Sequence, residues 1–306
     1  MALGDRKDGK LLRHIDSMHF ICPIIYPDRC DNEAFIYEKI DLTNIDKYLA
    51  KKNKNNPEYK YNLFQVIVTA YLKVLYLRPK MNYFIQNCNL YERYKKSAAF
   101  VVKKQFSDNG AEGLAFIYSN PTDNIDTVHD SIYKVVTHQR SGGTDKSTDS
   151  MDFLNKLPRP FSKFIIHCVM LLDRYGLCPS SLIASDPYYS SIVFTNLGSI
   201  KMHAGYHHLT NWGTNSLFVA IGQIKKRQFL LDNGKTVIRN SVDLGMTIDE
   251  RIADGYYYSK TVQLLKHLLE NPELLELPLN TEVELCQKKK VQKQKSQRKL
   301  SKKKTK

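Results

Sequence analysis

Three carboxylates fall within the six residues Asp249-Glu250-Arg251-Ile252-Ala253-Asp254, directly before Gly255. Carboxylates this close raise one another's proton affinity, which suits one of them to proton-transfer chemistry. A second group is imidazole: Met202-His203-Ala204-Gly205-Tyr206-His207-His208 gathers three histidines. They could accept a proton, or hold a metal if a carboxylate folds against them. Adjacent histidines on a strand point to opposite faces, so the balance falls on a surface or loop group and no metal is expected. Cysteines at 22, 30, 88, 168, 178 and 286 form no CxxC pair and no zinc-like spacing, which fits a reducing compartment. Tyr256-Tyr257-Tyr258 opens a helix, where such rings more often pack or line an interface than form a binding platform.

Charge is unevenly placed. The formal net charge is +15 over 306 residues, and the ten Lys and one Arg between Gln287 and Lys306, with no acid, leave only +4 on the rest. This tail (287–306) has no apolar periodicity and is expected to be disordered. It could contact an anionic polymer or membrane surface weakly, or simply aid solubility. It lacks aromatic residues for base stacking, so sequence-specific nucleic-acid binding is not expected. Hydrophobic residues at 42% and charged residues at 25% suit a globular chain with a sizeable core. The most apolar run, Phe164 to Leu172, is nine residues with a His inside it, far short of the ~20 a spanning helix needs. With charged residues directly after Met1 and no secretory signal, a cytoplasmic protein is expected. Flanked by Lys163 and Arg174, that run could also lie on a membrane surface or dock a partner, but its periodicity points to a core or subunit-interface face.

The elements that must position these groups mix helices and hairpins. Residues 17–42 read as one or two strands broken at Pro27-Asp28-Arg29, followed by a short helix at 45–51. Tyr61 to Leu77 has one apolar face and ends at Pro79, as a helix should. Strands are expected at 83–90, 97–106, 112–118, 190–195, 217–225 and 235–248. Turn signals stand at Ser107-Asp108-Asn109-Gly110 and Asp232-Asn233-Gly234-Lys235. Helices are expected at 122–139, 153–175 and 255–271. Without strict alternation, this is an α+β chain with a mixed sheet flanked by helices.

Four segments then carry a resemblance. Val193-Phe194-Thr195-Asn196-Leu197-Gly198 resembles the strand-turn Phe-Thr-Ile-Ser-Asn-Leu-Gly of the 2-oxoacid dehydrogenase acyltransferases, relatives of chloramphenicol acetyltransferase. Asp249 to Gly255, with a helix ending in Glu-Asn-Pro, is similar to their Asp-His-Arg-x-x-Asp-Gly. Phe218 to Gly222 resembles a strand closing in Gly, and Pro79-Lys80-Met81-Asn82 their His-Pro-x-x-Asn. The resemblance spans most of residues 15–278. It implies one acyltransferase-like domain over 1–286, with a helical insertion near 153–187 and no lipoyl module before it. It also implies a homotrimer with sites between subunits, taking coenzyme A or acyl-CoA and a small-molecule acyl acceptor. On that pattern Thr195 is the oxyanion donor and Asp254 the structural acid, and the base position, His in the family, is occupied by Glu250.

A histidine base lies about 2 pH units below a thiol, whereas an unperturbed Glu lies about 4 below it, roughly 5.7 kcal/mol uphill. A carboxylate also repels the thiolate that it creates; burial and acidic neighbours would recover part of that loss. Two functions therefore stay open: acyl transfer with Glu250 as an atypical base, or a trimeric scaffold or regulator that keeps the fold without the chemistry.

Overall fold

The computed structural model describes residues 3–103, 112–141, 152–231 and 233–284. In chain order the elements are β1 (Gly9–Leu11), α1 (Ser17–Ile25), β2 (Glu33–Asp41), α2 (Thr43–Lys52), α3 (Leu63–Leu77), β3 (Tyr83–Gln86), β4 (Asn89–Arg93), β5 (Lys96–Lys103) and β6 (Glu112–Ser119). They continue with α4 (Ile125–Arg140), α5 (Arg159–Arg174), α6 (Ser180–Ser185), β7 (Ile192–Asn196), β8 (Leu217–Ile221), β9 (Lys225–Leu230), β10 (Thr236–Asp249) and α7 (Gly255–Glu270). Among the described residues the strands form a small sheet, β1-β4-β3, and a seven-stranded one, β2-β10-β8-β7-β5-β6, with β9 beside β10. Only the β5–β7 and β7–β8 pairs of the large sheet are parallel, so it is the mixed sheet of an α+β fold.

Strand alternation builds the core. Phe100, Phe194, Val219 and Met246 point from four adjacent strands into one apolar layer beneath α3, α4 and α7. Their neighbours Ala99, Val193 and Phe218 face the other way and meet Leu209. Helix α3 starts where Asn62 and Gln65 cap it reciprocally, and the chain leaves it at Arg78, ahead of Pro79. The fourteen-residue β10 serves two partnerships. Its first half makes the β9 hairpin, and its second half runs between β2 and β8.

Three expectations are corrected. Ser17 to Ile25 is a helix rather than a strand, because Asp16 accepts from the amides of Met18 and His19 and closes the first turn. The stretch 83–90 is not one strand: Asn87 (φ 48°) and Cys88 (φ 58°) make a two-residue hairpin turn without glycine. The strand from Leu217 ends at Ile221, and Lys225 starts another. The turn at 107–110 lies outside the described residues, as does the tail. The hairpin at Gly234 (φ 79°) is present, with Leu231 N–H donating to Lys235 O. The apolar face of α5 is not core either; Asp173 is the buried residue of that helix.

One buried charge offers a direct check. Lys73, in the middle of α3, is fully buried, and its Nζ donates to Pro278 O at 2.6 Å. Burial pushes its ammonium down to about 8 from 10.5. Between those values the unfolded chain binds the proton that the folded chain has released, so folding gains stability as pH rises. The stability of the wild type relative to Lys73→Met is therefore expected to rise from pH 8 to about 10.5 and to be flat just below 8, read by urea denaturation. A constant difference would mean the amine is not desolvated.

Candidate active site

The carboxylate-rich turn follows the end of β10, and its three acids part ways. Asp249 is fully buried. Its oxygens take a bidentate pair of bonds from Arg251, Nε at 2.8 Å and Nη2 at 2.7 Å, and Arg29 Nε stands 3.7 Å away. Arg251 also donates to the carbonyls of Tyr26 and Pro27. Arg29 donates to Thr210 O at 2.6 Å and Ile85 O at 2.9 Å. Burial pushes the Arg29 guanidinium below its ordinary value, and Asp249 pulls it back. Asp254 is exposed and caps α7, accepting from Tyr257 N at 2.8 Å, and that bond holds its carboxyl below the usual range. Glu250 is left solvent-exposed between them, its backbone N–H donating to Asn32 O at 2.9 Å. Asp249 thus answers two guanidinium groups rather than Glu250, a partnership that spacing alone did not show.

Thr195 lies near the end of β7, half-buried, on the sheet face turned away from the helices. At this end of the sheet, on the helix side, a cleft of about 410 Å³ opens whose rim includes Thr195, with Tyr59, Asn62, Phe100, Lys103, Arg140 and Ile224. The turn after Thr195 is held by backbone contact. A Cβ on Gly198 would lie 2.6 Å from Gly222 O, and one on Gly222 would lie 2.5 Å from Ala204 N. The two glycines therefore let the Asn-Leu-Gly turn, the end of β8 and the following loop approach without side chains.

A single chain does not bring Thr195 and Glu250 together. Thr195 pairs with Ala220, and Ala220 with Gly245. Glu250 comes five residues after Gly245, just past the end of β10, about 17 Å away at strand rise and at the opposite end of the sheet. The histidines lie on an irregular loop, not a strand, and the His207 and His208 rings are 4.8 Å apart rather than on opposite faces. His207 stacks on Phe218 at 4.2 Å, and His203 contacts Lys225. No group of three metal-ligating side chains occurs among the described residues. The three tyrosines divide: Tyr256 is exposed, Tyr257 lies 3.7 Å under the Arg78 guanidinium, and buried Tyr258 donates to Asp249 O at 2.8 Å.

Two outcomes follow. Asp249→Asn leaves two buried guanidinium groups undercompensated and is expected to cost about 3 kcal/mol or more in denaturant unfolding. Gly222→Ala forces a methyl into backbone and is expected to cost about 1–3 kcal/mol. Wild-type melting in either variant would remove that contact from the structural account.

Residues 181–277 match the model of the 2-oxoacid dehydrogenases acyltransferase (catalytic domain). A comparison with curated proteins gave no match. Among solved structures, the chain is similar to a probable dihydrolipoamide acetyltransferase from Listeria monocytogenes, at 15% identity, covering 86% of this chain and 95% of that one, with a TM-score of 0.55. It is similar to the cubic core of the pyruvate dehydrogenase multienzyme complex at 12% identity, 87% and 94% coverage and TM-score 0.58. A truncated catalytic core of the 2-oxoacid dehydrogenase complex from Thermoplasma acidophilum gives 17% identity, 85% and 99% coverage and TM-score 0.51. No helix of the described residues is long and apolar enough to cross a membrane. Residues 181–277 thus carry the catalytic-domain signature of the 2-oxoacid dehydrogenase acyltransferases, on a chain that folds as dihydrolipoamide acetyltransferases do.

Proposed function

We propose that this chain is a coenzyme-A-dependent acyltransferase whose active site forms between two copies of a homotrimer, Thr195 from one copy and Glu250 from the next. The observation that carries this reading is the separation of the two residues at opposite ends of one sheet, each open to its surroundings. A cyclic assembly sets one end of a protomer against the other end of its neighbour, which is what a site split in this way needs.

The roles follow from the chemistry. Thr195 Oγ1 would donate to the oxyanion formed when a thiol or hydroxyl adds to the acyl carbonyl. Glu250 would take the proton of that acceptor; a neighbour's wall would provide the desolvation that one chain lacks. Asp254 would act by holding the start of α7, and Asp249 by fixing the backbone that carries Glu250. The cleft at Thr195, bordered by Lys103 and Arg140, has the size and charge to receive the phosphorylated part of a CoA-like donor. Exposure of Glu250 within one chain favours a second reading, a trimeric scaffold that keeps the fold without turnover.

Titration of the purified chain with coenzyme A and acetyl-CoA comes first, because it needs no acceptor. Binding is expected, and its absence at millimolar ligand would leave the scaffold reading. Acetyl transfer to dihydrolipoamide is then expected to fall at least about tenfold in Glu250→Gln and in Thr195→Val. Refolding the two variants together should restore about a quarter of the sites, since each needs one intact residue from each of two copies. Mixtures no more active than the separate variants would place both residues in one chain's site or in none.

A further inference from the structure

Helix α5 lies on the outside of the fold with part of its apolar surface turned to solvent. Its inner side is held at one polar point. Asp173 receives Arg6 Nη2 at 2.7 Å on one oxygen and Gln86 Nε2 at 2.7 Å on the other. Ser162, Ile165, Ile166 and Val169 share that inner side and are half-buried. At spacings of three and seven residues on the outer side stand Phe161, Phe164 and Leu171, exposed by 64%, 68% and 56%. The stripe passes the helix end, where Gly176 (φ 70°) turns the chain, and continues in exposed Tyr175 and Leu177.

Charge says what this stripe meets. Arg159, Lys163 and His167 follow at four-residue steps along one edge, and Arg174 extends it. Asp173, the helix's acid, is buried against Arg6, so no carboxylate of α5 faces outward. A second copy packed α5 against α5 would bring the same cations and no acid to answer them. A surface of anionic headgroups over hydrocarbon satisfies both the stripe and its edge.

We propose that α5 is an interfacial helix that seats this protein on an anionic lipid surface, Phe161, Phe164 and Leu171 entering the acyl boundary and Lys163 and Arg174 meeting phosphate. The protein then works beside a membrane, where the helix anchors it without spanning.

The test is co-sedimentation of the full chain with vesicles of phosphatidylcholine, alone or mixed with phosphatidylglycerol. Wild type should bind the mixed vesicles and bind phosphatidylcholine alone far more weakly. Phe164→Ser with Leu171→Ser should weaken binding to the mixed vesicles by about tenfold or more, with circular dichroism unchanged. Lys163→Glu with Arg174→Glu should do the same while keeping the stripe. The Lys-rich tail is present in every variant, so differences between them report the helix. Equal binding by wild type and both double variants would assign the contact to the tail and overturn the proposal. So would equal binding to both lipid mixtures, or wild-type self-association in sedimentation that Phe164→Ser with Leu171→Ser abolishes without any vesicle binding.

Discussion

The buried ion pair of Asp249 with Arg251, reached also by Arg29, is the constraint on which the rest of this structure depends. It joins four separate parts of the chain: the end of the longest strand, the turn after α1 and, through Arg29, the loop at Thr210 and the strand at Ile85. Desolvating these groups is expensive, and the cost is met only because both guanidinium groups are spent on carboxylate and carbonyl oxygens. The backbone at residue 250 is held on both sides, and its own N–H donates to Asn32 O. Its neighbours on both sides are tied down, Asp249 in the core and Asp254 at the helix cap, while Glu250 projects outward.

A second constraint acts at the opposite end of the sheet, and it is made of backbone rather than charge. The turn after Thr195, the end of β8 and the loop at Ala204 approach too closely for any side chain at Gly198 or Gly222. That contact sets Thr195 at the rim of a cleft. The two ends are thus built by different physics, one by paired charges in a dry core and one by close packing of glycines. The sheet between them is long enough to keep them apart, so the geometry that makes each end firm also makes the proposed chemistry a property of an assembly.

The periphery follows other rules. Helix α5 has the strong apolar periodicity of a core helix, yet one buried carboxylate fastens it and part of its apolar surface faces outward. Periodicity reports that a helix has two unlike sides; it does not say which side the protein covers. The strand expected at 17–25 failed for a related reason. A run of apolar residues fits either element, and the decision rests with Asp16, whose carboxylate closes a helical turn.

Local chemistry was sufficient for much of this protein. Amphipathic spacing, caps and proline marked α2, α3, α4 and α7; glycine marked the β9–β10 hairpin; and the motif around Thr195, Gly222 and Asp249 to Gly255 pointed to the acyltransferase fold. Each of those features is an interaction between residues near in sequence, or a pattern that the fold requires. Tertiary structure alone decided the partners of Asp249, the exposure of Glu250, the distance from Glu250 to Thr195, the glycine contacts and the outward face of α5. These depend on which residues far apart in the chain become neighbours, and residue type and spacing do not encode that. Arg29 and Asp249 are 220 positions apart in the sequence yet within 3.7 Å in the fold.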